Sequence, residues 1–376
     1  MKKVAIITHY YNSKNYGGML QAYALPHFLN KNGYEAKQVC YCGNTSLKQN
    51  TRSLCVTAKE FAAKLKWYFL DRDFYYQGVQ MKKRIKRFEE FQNNVVEHTE
   101  KVHSDTSLNL LDADFDCFIT GSDQVFNYNC YEYGYWLEFT NKQKLSYAAS
   151  MALDAIPDEW VEYTKKALRD YKTIGVREEN TQYLYSKLLN REISLNLDPV
   201  FLLEKTEWDQ IAADRLIDED YVFTYFLGSN KKERELAKEY ARKHNLKLVS
   251  IPFYYDGNKL MDLNYGDYNV IDAGPREFIS LIKHARSVFT DSFHAIVFSA
   301  IYHKQFAVFN RNARGEMSTR IVSITRLFHA EERFIHKETM EDIAYIEEIL
   351  RGNVEYMTNE ILTLRERSIR YLLNNV

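Results

Sequence analysis

Val4-Ala5-Ile6-Ile7-Thr8 and, a few residues on, Asn15-Tyr16-Gly17-Gly18-Met19-Leu20-Gln21-Ala22 decide how the rest of the chain is read. The first is a short apolar run with a polar end, the pattern of a buried strand. The second opens a helical pattern from Gly18 to Lys31, with Leu20, Tyr23, Ala24, Phe28 and Leu29 on one face. Gly33 stands where a left-handed C-terminal cap belongs. Pro26 cannot donate to the Ala22 carbonyl, which predicts a kink. Strand, tight turn and helix in this order open a parallel α/β sheet. The paired glycines let backbone approach a ligand, and the helix start offers N–H groups to an anion or hydroxyl. The spacing is not G-x-G-x-x-G, so a dinucleotide site is not supported.

The alternation recurs outward from this unit. Glu35–Tyr41, Phe115–Thr120, Lys144–Ala149 and Thr173–Val176 read as strands, and residues 56–93 as helices. The basic run Lys82, Lys83, Arg84, Lys86, Arg87 reads as a solvated helix face. Asn196-Leu197-Asp198-Pro199 breaks the rhythm and separates an N-terminal domain, 1–195, from a second, 196–340. There Tyr221–Leu227, Leu246–Ile251, Asn269–Ile271, Ser287–Thr290 and Gln305–Phe309 are expected strands. Lys231–His244, a segment opened by Pro275, and Phe293–Tyr302 are expected helices. Residues 341–376 hold two closing helices, around Met340–Leu350 and Met357–Leu373, expected to pack back across the junction. The fold class that follows is α/β, two Rossmann-like doubly wound domains facing a cleft.

Composition agrees and narrows the function. A chain of 376 residues suits two domains. With 50 Lys+Arg against 51 Asp+Glu, the net charge of -1 gives no footprint for nucleic acid. The 45% hydrophobic content excludes disorder. The 29 Tyr and 22 Phe suit a core and clefts lined with flat rings. Five Cys without a C-x-x-C pair read as reduced thiols of a cytoplasmic protein, and no metal motif is visible. The apolar run Val4–Ile7 is shorter than the roughly 7–15 residues of a signal peptide core. No stretch nears the roughly 18 apolar residues of a membrane span.

Chemistry-bearing residues gather after the expected strands. Gly121-Ser122-Asp123-Gln124 follows one strand; either capping or ligand contact explains its polar crowding. Tyr128, Tyr131, Tyr133, Tyr135 and Trp136 come next, and a core role outweighs sugar stacking. Arg177 ends another strand with a forked donor suited to carboxylate or phosphate. Asp291-Ser292-Phe293-His294 is the sharpest case, because His294 falls in the first turn of an apolar helix. Arg311, Arg314, Ser318 and Arg320 form a basic, polar segment after the last strand. Ligands of doubly wound sheets gather beyond strand carboxyl ends. Asn15–Gly18, Gly121–Gln124, Arg177 and Asp291–His294 are therefore expected to line one cavity, with Gln21, Ser318 and Arg320 as further binding residues.

The ordered set resembles the polysaccharide pyruvyl transferase family. The matching segments are Asn15-Tyr16-Gly17-Gly18 with Leu20-Gln21-Ala22, Gly121-Ser122-Asp123-Gln124, Ser146-Tyr147-Ala148-Ala149-Ser150 and Val176-Arg177-Glu178. Leu197-Asp198-Pro199, Thr290-Asp291-Ser292-Phe293-His294 and Ser318-Thr319-Arg320-Ile321 complete it. The resemblance implies a glycosyltransferase-B-like fold. It also implies phosphoenolpyruvate as donor, with no further cofactor, and a pyruvate ketal formed on a sugar of a cell-surface glycan precursor. The implied partner is a lipid-linked oligosaccharide, met in the cytoplasm at the inner face of the membrane by peripheral contact. His294 matches the family's catalytic His, and Arg177 an Arg suited to the donor. Ala295 replaces a frequent Gly, and Ser292 an Arg found in some members; Arg311, Arg314 or Arg320 would have to supply the missing charge. The competing readings are a nucleotide-sugar-dependent glycosyltransferase of the same fold and a non-catalytic glycan-binding protein.

Overall fold

Strand and helix alternate through both halves of the chain, and the strands assemble into two all-parallel sheets. The structure is a computed structural model that describes residues 1–43, 72–253, 262, 264–310, 318–336, 343–352 and 355–376, without the side chains of 72–77, 318 and 319. The expected helix before residue 72, the loop with Arg311 and Arg314, and the side chain of Ser318 lie outside the described residues.

The first sheet contains β1 (Lys3–Ile7), β2 (Glu35–Tyr41), β3 (His98–His103), β4 (Cys117–Thr120), β5 (Gln143–Ala149), β6 (Thr173–Val176) and β7 (Ser194–Leu195). Its spatial order is β3-β2-β1-β4-β5-β6-β7. The second contains β8 (Tyr221–Tyr225), β9 (Lys247–Ser250), β10 (Tyr268–Asn269), β11 (Ser287–Thr290), β12 (Gln305–Phe309) and β13 (Phe334–Ile335), ordered β10-β9-β8-β11-β12-β13. The order reverses between β1 and β4 and between β8 and β11. Ligand crevices of such sheets open at these switch points. The periodicity misses β3, β7 and β13. β3 (HTEKVH) is a polar edge strand facing solvent on three consecutive residues, and the other two are only two residues long.

Helix α1 (Tyr16–Lys31) differs from its expected one-sided pattern. Tyr16–Pro26, Phe28 and Leu29 are all buried, because the helix is wedged between the first sheet and the second domain. A helix covered all round reads as apolar all round. It also continues through Pro26. Its end is a Schellman cap: the Tyr34 N–H donates to the Leu29 carbonyl and the Gly33 N–H to that of Asn30, both at 3.2 Å.

The further described helices are α2 (Arg72–Asn94), α3 (Val161–Leu168), α4 (Glu179–Leu189), α5 (Lys205–Ile211), α6 (Lys231–Lys243), α7 (Pro275–His284), α8 (Phe293–Ile301), α9 (Ser318–Leu327), α10 (Ile343–Arg351) and α11 (Asn359–Asn375). One hydrophobic cluster crosses the domain junction, and two smaller ones fill the outer faces of the sheets. Tyr16 stacks on Phe278 of α7 at 4.7 Å and donates to the Ala273 carbonyl at 2.8 Å. The basic run on α2 is not a uniformly solvated face. Lys82, Lys83 and Lys86 are exposed, but Arg84 donates to the Pro252 carbonyl and Arg87 to that of Asp272, both at 2.9 Å. Arg87 also pairs with the Asp272 and Glu277 carboxylates at 3.2 and 3.4 Å. Of the closing helices, α10 stays on the second domain, where Glu347 meets His244 at 3.0 Å. α11 reaches the first: Ser368 accepts from the Leu197 N–H at 3.0 Å and Tyr371 donates to the Ser146 carbonyl at 2.8 Å.

Gly33 tests the helix stop. It sits at φ +87° with open space where a Cβ would point, so Gly33→Ala adds backbone strain without a clash. Urea denaturation should show a loss of about 1 kcal/mol. Unchanged stability would mean the turn relaxes into another conformation.

Candidate active site

The loops after β1 and β4 face those after β8 and β11 across a small cavity. Asn15, Asp123, Gln124, Asp291, Ser292, His294 and Arg320 line it, so three of the four groups expected together meet there, joined by Arg320, while Arg177 does not line it. A second, smaller pocket is lined by Arg177, Glu178, Asp198, Phe293, Arg320 and a mixture of polar and apolar side chains.

His294 projects from the first turn of α8 and is largely buried, so it belongs to the second domain while facing the first. The start of α1 accommodates it. A Cβ on Gly17 would stand 1.9 Å from His294 Nδ1, an impossible contact. Gly17 therefore admits the imidazole of the opposite domain, where the sequence suggested it admits a ligand. A Cβ on Gly18 would likewise crowd the backbone, 2.9 Å from the His9 carbonyl oxygen. Asn15 caps α1, its Oδ1 accepting from the Gly18 N–H at 3.2 Å.

Asp198, read from sequence as a boundary residue, is the electrostatic hinge of the site. Its fully buried carboxylate accepts from Arg177 Nη1 at 2.6 Å, Ser122 Oγ at 3.2 Å and the Val200 N–H at 3.2 Å. His294 Nε2 lies 3.6 Å from the same oxygen that Arg177 engages. That distance is beyond a hydrogen bond. Burial alone would raise the Asp198 pKa. His294, Arg177 and the Val200 amide outweigh it and hold the carboxyl well below the usual carboxylate range. The one sequence signal for this role was Asp-Pro at the break between halves.

Arg177 is turned away from open space. Its side chain is only 4% exposed and its fork is directed at Asp198, with Glu178 and Asp123 at ion-pair distances of 3.6 and 3.7 Å. Phe293 covers it, the guanidinium lying 4.8 Å from the ring centroid. Burial works against the charge, and Asp198, Glu178 and Asp123 more than offset it, raising its pKa further. This surrounded guanidinium is built to hold Asp198 in place; Arg320 is the described Arg that lines both cavities. Asp123 reaches its position from a left-handed backbone at φ +72°, a conformation Asp tolerates better than most residues.

Other expected binding residues serve the scaffold. Gln21 is fully buried and donates to Thr8 Oγ1 and the Gly18 carbonyl. Gly121 packs against Thr8, and Tyr16 joins the domains as described. Ser122 is buried beneath Asp198 and also donates to the Ala148 carbonyl at 3.0 Å. Asp291 lines the cavity while accepting from the Leu227 and Gly228 N–H groups at 2.7 and 2.6 Å, which fixes the loop after β8. Tyr128, Tyr135 and Trp136 are core residues, and Tyr131 and Tyr133 pack partly buried against the same cluster. Among the described residues no group of three His, Cys, Asp or Glu is arranged to hold a metal, and no helix is long and apolar enough to cross a membrane.

Two parallel Rossmann-like domains with polar loops converging between them define a glycosyltransferase-B-like protein. A sequence profile of the polysaccharide pyruvyl transferase family matches residues 15–312, and the chain belongs to that family. Its solved structural neighbours include S. aureus MnaA with UDP, at 10% identity and TM-score 0.55, covering 100% of this chain and 98% of that one. UDP-GlcNAc 2-epimerase from Methanocaldococcus jannaschii is similar at 12% identity and TM-score 0.55, with 100% of both chains covered. The Neisseria meningitidis UDP-GlcNAc 2-epimerase bound to UDP-GlcNAc follows at 12% identity and TM-score 0.51, again over 100% of both. At such identities the likeness is one of fold. No curated protein sequence matches the chain significantly.

The buried carboxylate gives a pH test. A depressed folded pKa contributes stability above the unfolded value, near 4, and loses it as pH falls below that. Asp198→Asn should cost about 3 kcal/mol at pH 7, the usual result of breaking a buried pair. The gap to wild type should narrow below about pH 4. Urea midpoints across that range decide it; a pH-independent gap would remove the charge of Asp198 from the account.

Proposed function

We propose that the chain transfers pyruvate from phosphoenolpyruvate to a pair of hydroxyls on a glycan, forming a cyclic ketal. The observation that carries this reading is His294, seated against Gly17 and facing Asp198 at the mouth of an interdomain cleft, in a member of this family. In the reaction two sugar oxygens bond to C2 of the donor and the C2–O bond to phosphate breaks. One hydroxyl proton ends on C3, which becomes the methyl group, and the other leaves with phosphate. His294 is the side chain suited to move these protons, and Asp198, fixed by Arg177 and Ser122, orients its ring.

The donor's negative charge needs partners. Arg320 lines the cavity, and α8 begins there with Ser292 as an N-cap that makes no side-chain capping bond. The first N–H groups of that helix therefore suit an anion. Ser292 in place of Arg is compatible with this arrangement, since Arg320 supplies a positive charge at the same cavity. No cofactor is required beyond phosphoenolpyruvate as co-substrate. The acceptor we propose is a lipid-linked oligosaccharide met in the cytoplasm.

The purified protein, given phosphoenolpyruvate and a glycan precursor extract, should release phosphate only when glycan is present, and the glycan should gain pyruvate by mass spectrometry. Sugar transfer from a nucleotide sugar in place of this would replace the proposal by a glycosyltransferase reading. His294→Gln should keep its melting temperature within a few degrees and lose roughly 10²–10⁴ in turnover. Gly17→Ala should also reduce turnover, because the added methyl displaces the ring, although alanine favours a helix by up to about 1 kcal/mol. Wild-type turnover in both variants would take His294 out of the mechanism.

A further inference from the structure

Three aspartates stand at or beside the cleft, and two of them are occupied by the protein itself. Asp198 accepts from Arg177, Ser122 and the Val200 N–H, and Asp291 from the Leu227 and Gly228 N–H groups. Asp123 differs. It lines the cavity together with His294, and its side chain is 12% exposed. Among the described residues neither of its carboxyl oxygens takes a hydrogen bond. Arg177 Nη2 lies 3.7 Å from Oδ1, an ion-pair distance too long for a hydrogen bond. Sequence alone left capping or ligand contact open for this loop; with no N–H on its carboxyl, Asp123 caps nothing.

The backbone enforces this placement. Asp123 is left-handed at φ +72°, a conformation that costs energy in a residue with a side chain and clusters at functional sites. Its carbonyl accepts from the Val125 and Ser150 N–H groups at 2.8 and 2.9 Å, and the Phe126 N–H donates to the Ser150 carbonyl at 3.1 Å. A parallel bridge to Ala149 completes the attachment to the end of β5. The turn is pinned, and its carboxyl is left to the cavity. The paired glycines then relate it to His294. A Cβ on Gly18 would lie 3.6 Å from Asp123 Oδ2, as one on Gly17 would strike the imidazole. Consecutive Cα atoms are about 3.8 Å apart. The carboxyl of the first domain and the ring of the second therefore stand at neighbouring points of one helix start.

A carboxyl group with both oxygens unengaged accepts hydrogen bonds. Sugar hydroxyls supply O–H donors, whereas ionised phosphoenolpyruvate offers only acceptor oxygens. We infer that Asp123 receives a hydroxyl of the acceptor sugar and aims its oxygen at the reaction centre beside His294. The inference rests on the pyruvyl-transfer reading for the word acceptor, but its test measures sugar binding without any donor.

Asp123→Gly deletes the carboxyl and suits the left-handed backbone, and Asp123→Asn keeps an acceptor oxygen in a residue that also tolerates it. Both variants should melt within a few degrees of wild type. Saturation-transfer NMR with methyl glucopyranoside, galactopyranoside and mannopyranoside at millimolar concentration should show binding to the wild-type protein. Each binder is then compared with its monodeoxy analogues. Removal of one particular hydroxyl should weaken wild-type binding by roughly three- to tenfold. Asp123→Gly should weaken the parent sugar to the same degree and be indifferent to that removal, with Asp123→Asn between the two. Phosphoenolpyruvate binding should not weaken in either variant. Failure of every probe to bind, or a hydroxyl preference that survives intact in both variants, overturns the inference. So does a loss of phosphoenolpyruvate binding with sugar binding unchanged. If the sugar results hold while no pyruvate is transferred, the hydroxyl contact stands and the proposed reaction fails.

Discussion

A single buried carboxylate organises the centre of this protein. Asp198 lies where the chain leaves the first sheet, and groups from three other elements converge on it: Arg177 after β6, Ser122 after β4 and His294 on α8. An ionised carboxylate without such partners would be too costly to bury. The arrangement therefore couples the first domain, the crossover and the second domain. It also explains why Arg177, the best-looking anion clamp in the sequence, faces inward. Its charge answers three carboxylates already present.

Helix α1 imposes the second constraint. It is covered by its own sheet on one side and by the second domain on another, so the domains share a hydrophobic cluster as well as a cleft. Tyr16, Arg84 and Arg87 add directional contacts to that apolar contact area. The same helix start must leave room for an imidazole from the opposite domain, and only a residue without Cβ does so at position 17. The seat of His294 thus depends on how the domains meet.

Two differently lined cavities lie close together. Around His294 the cleft combines Arg320 and a helix N-terminus with fixed carboxylates, a mixture suited to an anion and to proton transfer. The neighbouring cavity has aromatic faces and Glu132.

Local pattern alone determined the alternation of strands and helices, the two parallel halves, the Schellman stop at Gly33 and the placement of His294 in the first turn of an apolar helix. These are properties of neighbouring residues: strand period, helix period, capping and turn chemistry operate within a few positions. The polar edge strand β3 and the two-residue strands escaped notice because exposure and brevity erase that period. Tertiary structure decided the rest. Whether Gly17 faces a ligand or a histidine, whether Arg177 is open or enclosed, whether Arg84 is solvated or bridges two domains, and whether Asp198 is a linker residue or a neighbour of the His294 ring all depend on groups distant in the chain. Sequence specifies which side chains follow each strand; only packing of the two sheets through α1 sets which of them meet, and at what distance.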